Sequence, residues 1–191
     1  PWAGLRLSPP LEDAQIQYVT IRGADEGIKL SNVQPSDPSR TLKLSGVKIY
    51  DTSTGLNVSS SQLEVRHSEV VGFDNVGVSV SGGGSFLRIR DRSTVGQTGA
   101  RTLTGTCLGV RDAATVVVQS SVLVSCSRGV NVHHNGGSPP PPMELTGSVV
   151  ARHDIGVRVD PYNDRSAYPV VIANGNDIKN NNSFNVRIEP G

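Results

Sequence analysis

The chain has 191 residues, enough for one domain with a sizeable core or two small ones. Hydrophobic residues make up 36% of it and aromatic residues only 4%, so the bulk of a core has to come from aliphatic side chains. Eighteen basic against seventeen acidic residues leave a net charge of +1 with no run of one sign, which argues against nucleic acid or an anionic membrane as partner.

No apolar run approaches the ~20 residues of a membrane span. The sequence opens on Pro1-Trp2 without a Met or a signal peptide, and we read it as a processed chain or an excised piece.

In chain order the first predicted strand is GLRL, from Gly4 to Leu7. Its form, apolar-x-apolar and usually after a glycine, returns as GIKL (Gly27 to Leu30), GLNV (Gly55 to Val58) and GVSV (Gly77 to Val80). It continues as CLGV (Cys107 to Val110), GVNV (Gly129 to Val132), GVRV (Gly156 to Val159) and NVRI (Asn185 to Ile188). The spacings are 23, 28, 22, 30, 22, 27 and 29 residues, which is a period of about 22 lengthened in places by insertions.

A second alternation lies between these units, as IQYVTI (Ile16 to Ile21), LKLSGVKI (Leu42 to Ile49), LEVRHSEV (Leu63 to Val70) and LRIRDRSTV (Leu87 to Val95). Later members are VVVQSSVLV (Val116 to Val124), MELTGSVV (Met143 to Val150) and VVIANGNDI (Val170 to Ile178). Each has two apolar positions at strand period, a small or apolar residue about three positions on, and another aliphatic after it. That pattern predicts two short strands with a bend between them.

Three strands per period, turns rich in Gly, Asn, Asp and Ser, and no stretch at helical period predict an all-β fold. We expect a single parallel β-helix over residues 1–191, with about seven rungs of three short strands spaced about 4.8 Å apart. Stacking places Leu5, Ile28, Leu56, Val78, Leu108, Val130, Val157 and Val186 in one inward ladder. Ser68, Ser93, Ser121 and Ser148 form a second column where the coil bends, a place for hydroxyls that bond along the stack rather than act as nucleophiles. Trp2 and the last strand carry the interior pattern rather than a polar cap. We therefore expect neighbouring domains or a partner to close the rod.

The glycine-led strands and the strands of form aliphatic-x-aliphatic-x-x-Ser-x-aliphatic resemble the right-handed parallel β-helix repeats of the pectate-lyase-like superfamily. The opening PWAGLRL, followed by IQYVTIRGADEGIKL, looks like the first coils of β-helix domains in large secreted or cell-surface proteins. The resemblance implies a right-handed coil and an extracellular or cell-surface setting. For function it implies alternatives: polysaccharide lyases, polygalacturonases and uronan epimerases on one side, tailspikes, adhesins and surface modules on the other.

Three insertions fall at one corner, after the glycine-led strand: Ser31 to Thr41, His133 to Pro142 and Asp160 to Pro169. A fourth, Gly96 to Thr106, falls at another turn. Loops gathered on one edge of a repeat fold often make its binding face. Asp160 and Asp164, in DPYND, are similar in spacing to the DPHD segment of uronan epimerases but lack its His. Asp before Pro also starts turns, and an exposed loop does not raise a carboxyl pKa as a paired-carboxylate mechanism needs. Asp154 and Asp177 are the other near candidates for a carboxylate pair, in different columns.

His133 and His134 are consecutive on a strand and so face opposite ways, which suits a surface pair better than a shared metal site. Arg152-His153-Asp154, at a glycine-ended turn, reads as a solvated charged turn. Cys107 and Cys126, nineteen residues apart, match no metal or redox spacing. That separation leaves a disulfide and two small buried thiols both open, the thiols being the plainer reading.

The resemblance to lyases would require a carboxylate cluster for Ca²⁺ on one sheet, and the outward positions of the second strand are Lys43, Glu64, Arg88, Val117, Glu144 and Val171. They alternate in sign or are apolar. Outward on the first strand stand Arg6, Lys29, Asn57, Ser79, Gly109, Asn131, Arg158 and Arg187, basic at both ends with a polar middle suited to an acidic glycan.

We expect a noncatalytic extracellular module that binds a glycan or protein partner through one sheet and the corner loops, with Arg6, Lys29, Asn131, His133, Arg158, Tyr162 and Arg165 as binding residues and no cofactor. The alternative is a carbohydrate-active lyase, epimerase or hydrolase acting through Asp160, Asp164 or Asp177 with a nearby Arg, and only that alternative calls for Ca²⁺. Asn57-Val58-Ser59 and Asn181-Asn182-Ser183 are glycosylation sequons if the source is eukaryotic.

Overall fold

The structure, a computed structural model, describes residues 2–9, 11, 13–35, 37, 40–97, 103–112, 114–133, 143–160, 170–172 and 175–188. Its strands come in triplets. β1 (Leu5–Leu7), β2 (Gln15–Gln17) and β3 (Thr20–Arg22) make the first coil, and β4 (Glu26–Ser31), β5 (Leu42–Ser45) and β6 (Lys48–Tyr50) the second. β7 (Thr54–Ser59), β8 (Gln62–Arg66) and β9 (Glu69–Val71) follow, then β10 (Val76–Ser81), β11 (Phe86–Arg90) and β12 (Thr94–Gly96). The later coils are β13 (Thr106–Arg111), β14 (Thr115–Gln119) and β15 (Val122–Val124), and β16 (Arg128–His133), β17 (Met143–Thr146) and β18 (Val149–Ala151). β19 (Ile155–Val159), β20 (Val170–Ile172) and β21 (Asp177–Lys179) close the set, with β22 (Phe184–Ile188) beginning another coil.

Every third strand stacks in parallel on its predecessor. The first sheet runs β1-β4-β7-β10-β13-β16-β19-β22, the second β2-β5-β8-β11-β14-β17-β20, and the third from β3 through β6, β9, β12, β15 and β18 to β21. The chain is thus a parallel β-solenoid of seven strand triplets stacked over about six turns.

Register carries the sequence periodicity into space. Leu5, Ile28, Leu56, Val78, Leu108, Val130, Val157 and Val186 pair one above the next through the whole first sheet. In a strand alternate side chains point to opposite faces, so the residues two positions on, Leu30, Val58, Val80, Val110 and Val132, form a second inward row. With Leu42, Leu44, Leu63, Leu87, Ile89, Val116 and Val118 from the second sheet they fill the interior with aliphatic carbon. The lumen is narrow: a Cβ built on Gly77 would lie 2.5 Å from Phe73 and 2.6 Å from Val95. That closeness is why the strands open on glycine.

The corners are polar ladders. At the bend between second and third sheets, Ser68 Oγ accepts from Val47 N–H at 3.1 Å and donates to Arg66 C=O at 2.7 Å. Ser93 and Ser148 repeat both bonds on the coils below Ser68 and Ser121, and Asn176 takes over for Ser148. Backbone groups that a bend would strand are thereby satisfied inside the rod, as the serine column predicted. Ser61 and Ser85 do the same at the corner after the first sheet.

The third corner corrects the reading of Arg152-His153-Asp154 as solvated. His153 is fully buried, because the middle residue of this turn points inward just as Thr52, Phe73 and Cys126 do on other coils. Its Nδ1 accepts from Cys126 N–H at 3.0 Å and its Nε2–H donates to Leu123 C=O at 3.0 Å. Beside it the plainer reading of the cysteines also gives way: Cys107 and Cys126 form a disulfide across a Cα–Cα distance of 5.7 Å. Cys107 occupies the position that is glycine on the neighbouring coils, and Cys126 lies at the end of the same coil. The bond closes that coil on itself.

Both sequon asparagines are used by the fold. Asn57 donates to Glu26 at 2.7 Å, and Asn181 Oδ1 accepts from His153 N–H at 3.0 Å while its Nδ2 donates to Asn185. Among the described residues no helix is long and apolar enough to cross a membrane.

Candidate functional site: two charged faces of the rod

The outward column of the first sheet is assembled as the sequence implied. Arg6, Lys29, Asn57, Ser79, Gly109, Asn131, Arg158 and Arg187 pair in succession. At its first end Glu26 answers the basic pair, accepting from Lys29 Nζ at 3.0 Å and from Asn57. Partial burial alone would raise the Glu26 carboxyl, but those hydrogen bonds and the charges of Lys29 and Arg6 outweigh it and hold the group below its usual range.

At the other end the structure brings together four of the residues singled out in the sequence. Asn131 pairs with Arg158 across β16 and β19, and Arg158 Nε lies 2.8 Å from Asp160. The other Asp160 oxygen lies 2.8 Å from His133 Nδ1. This cluster sits where β16 and β19 leave the sheet for their corner insertions. Asp164, Tyr162 and Arg165 lie outside the described residues.

Asp177 is elsewhere. It stands on β21 in the third sheet, paired in register with Val149, and its carboxylate is taken by Lys179. Its distant placement follows from topology: the third strand of a coil faces away from the first. A shallow hollow at the third corner collects Asp25, Asp51 and Asp74 from three coils, with Asp51 bound to Arg22 at 2.8 Å. Among the described residues, the only three His, Cys, Asp or Glu side chains whose ligand atoms lie within 4.8 Å of one another are Cys107, Cys126 and His153. There the two sulfurs are bonded to each other and both imidazole nitrogens are engaged.

The second sheet holds a site that sequence reasoning passed over. Its outward face forms a trough of about 500 Å³ lined by Lys43, Gln62, Glu64, Arg66, Phe86, Arg88 and Arg90, with Thr41 at its edge. Register explains it: Lys43, Glu64 and Arg88 stack on β5, β8 and β11, while Arg66 and Arg90 stack two positions further along. Glu64 lies at the centre, only 7% exposed. Arg66 and Arg90 both bind its Oε1, the latter at 3.2 Å, whereas Arg88 Nη1 stays 3.7 Å from Oε2.

The Arg88 guanidinium rests over the Phe86 ring, 5.4 Å from its centroid. Lys43 has no ion-pair partner among the described residues. Asp91 stands at the rim, 3.5 Å from Arg90 Nε. The sequence signal was present as R-x-R and E-x-R, but a single column of alternating sign hides a cluster that spans two columns.

Comparison with protein-family models, with curated proteins and with solved structures finds no match.

Proposed function

We propose that this chain is a noncatalytic extracellular recognition module, a right-handed coil of the pectate-lyase-like kind that takes a glycan or protein partner on its outer sheets and corner loops. The observation that carries this reading is the dispersal of the carboxylates. Asp160, Asp177 and Glu64 belong to three different faces of the rod, each held by cations of its own face, and in the one hollow that gathers Asp25, Asp51 and Asp74 the Asp51 carboxylate is taken by Arg22. A glycosidase or lyase needs two or more carboxylates converging on one sugar, with one raised in pKa or several sharing an ion. The Glu26 carboxyl is held below its usual range, the opposite of what a general acid needs.

The handedness rests on the general preference of parallel crossovers for a right-handed path. The disulfide agrees with an oxidising, extracellular setting.

A second reading keeps one observation of its own. The contact of His133 with Asp160 is the kind of pair that orients an imidazole for proton transfer, and it would serve the lyase, epimerase or hydrolase alternative with Asp160 in place. A panel of acidic and neutral glycans, with and without Ca²⁺, separates the two. Saturable binding without product is the expected result. Shortened or unsaturated product that disappears in Asp160→Ala would overturn the module reading.

A further inference from the structure

We infer that the trough on the second sheet is an anion site for a short sulfated saccharide, one sulfate-bearing sugar residue with its neighbour. This rests on the reading of the chain as a recognition module and names the ligand class and the face it uses.

Four cations, Lys43, Arg66, Arg88 and Arg90, come from three successive strands and surround Glu64, with one further carboxylate, Asp91, at the rim 3.9 Å from Arg66 and 3.5 Å from Arg90. A structural ion-pair network needs no such excess. Glu64 employs Arg66 and Arg90, which fixes their guanidinium planes, and it leaves Arg88 beyond hydrogen-bond reach and Lys43 without a counter-ion among the described residues. The spare donors therefore belong to a ligand.

Their placement selects its chemistry. The Lys43 ammonium and the Arg88 guanidinium, which keeps only a 3.7 Å ion pair with Glu64, stand on β5 and β11, on opposite sides of Glu64, two strand spacings or about 9.6 Å apart at the backbone. A planar carboxylate is best met by one fork of parallel N–H bonds from a single guanidinium, a geometry that two cations on separate strands do not offer. A sulfate ester spreads three oxygens over different directions and accepts from donors that approach from both sides. Phe86 lines the trough with apolar ring carbon beneath the Arg88 guanidinium, and Gln62 supplies amide donors and an acceptor for hydroxyls.

The site is also bounded. Lys43 pairs upward with Gln15, and Arg88 pairs downward with Val117, so the positions on either side along the rod carry no charge. A continuous polyanion would find cations on three coils and none beyond. The volume of about 500 Å³ suits a small ligand rather than a long track.

The test is a titration of the intact chain with a chemically defined sulfated disaccharide, its desulfated parent, and a uronate disaccharide of equal length. The sulfated probe is expected to bind, more weakly as salt rises, and Lys43→Ala and Arg88→Ala are each expected to weaken it about tenfold. Arg187→Ala, on the first sheet, is expected to leave it unchanged. Failure of the sulfated probe to bind, or equal binding of the desulfated or uronate probe, overturns the ligand class. Glycan binding that survives both trough variants overturns the site while the module reading stands. Conversion of any probe to product overturns the module reading and this inference with it. Circular dichroism of each variant confirms that the solenoid is intact.

Discussion

His153 shows how one side chain in a repeat can join the core and respond to solvent pH. Burial lowers its pKa, and the Leu123 and Cys126 carbonyls, 3.0 Å from Nε2 and 3.2 Å from Nδ1, recover part of that shift together with the nearby charge of Asp154. The lowered value favours the neutral ring, in which Nδ1 accepts from Cys126 N–H and Nε2–H donates to Leu123 C=O. An unfolded chain carries an ordinary imidazole with a pKa of about 6.5. Below that value the unfolded state binds a proton the folded core refuses, so stability is complete above about pH 6.5 and falls as the pH drops through the window beneath it. Asn181 and Asn176 perform the same corner role with an amide oxygen that does not titrate. We therefore predict that His153→Asn keeps the fold and flattens the acid-side loss of stability, read as the difference between wild-type and variant denaturant midpoints from pH 7 to pH 5. An unchanged slope would remove His153 from the account.

At the scale of the strand, the glycine that opens six of the eight first-sheet units is a matter of space. Gly77 has Phe73, Val95 and the Cys107 carbonyl within 2.8 Å of where a Cβ would sit, whereas Gly83, in the turn before β11, has nothing within 4 Å. Overpacking of this kind costs about 1–3 kcal/mol. Gly77→Ala should thus lower the unfolding free energy by about that amount while Gly83→Ala changes it little, measured by chemical denaturation; equal effects would refute the crowding argument.

The same strands show what was legible in the sequence. Like-on-like ladders oblige each coil to repeat the last, so the periodicity of Leu5 to Val186 and of Ser68 to Ser148 translated directly into register. The third corner was not legible, because Thr52, Phe73, Cys126 and His153 share a position without sharing a residue type. The trough escaped for a related reason. Its charge is set by two columns read together, Glu64 with Arg66 and Arg88 with Arg90. The cluster at Asp160 was half legible: Asn131, His133, Arg158 and Asp160 were each marked, but only register shows that they meet.

Across the molecule, a solenoid stabilises each coil only through its neighbours, so strength should vary along the rod rather than be shared evenly. The last strand leaves Phe184, Val186 and Ile188 between 41% and 54% exposed, although Val186 belongs to the inward ladder. At the other end Leu5 and Leu7 are only half-buried, with Trp2 exposed and held by its indole, which donates to Arg22 C=O at 3.1 Å, and by its carbonyl, which accepts from Asp25 N–H at 2.9 Å. The middle coils have partners above and below, and the fifth is also closed by Cys107–Cys126, a cross-link of a size that contributes about 3 kcal/mol by restricting the unfolded chain. Amide hydrogen exchange followed by mass spectrometry is accordingly expected to be slowest in β10 to β16 and fastest in β1 to β3 and β21 to β22. Reduction of the disulfide should speed exchange in β13 to β15 most, leaving the ends where they were. Uniform protection from β1 to β22 would mean that the rod opens as a single cooperative unit, and the nearest-neighbour account would then be wrong for this chain.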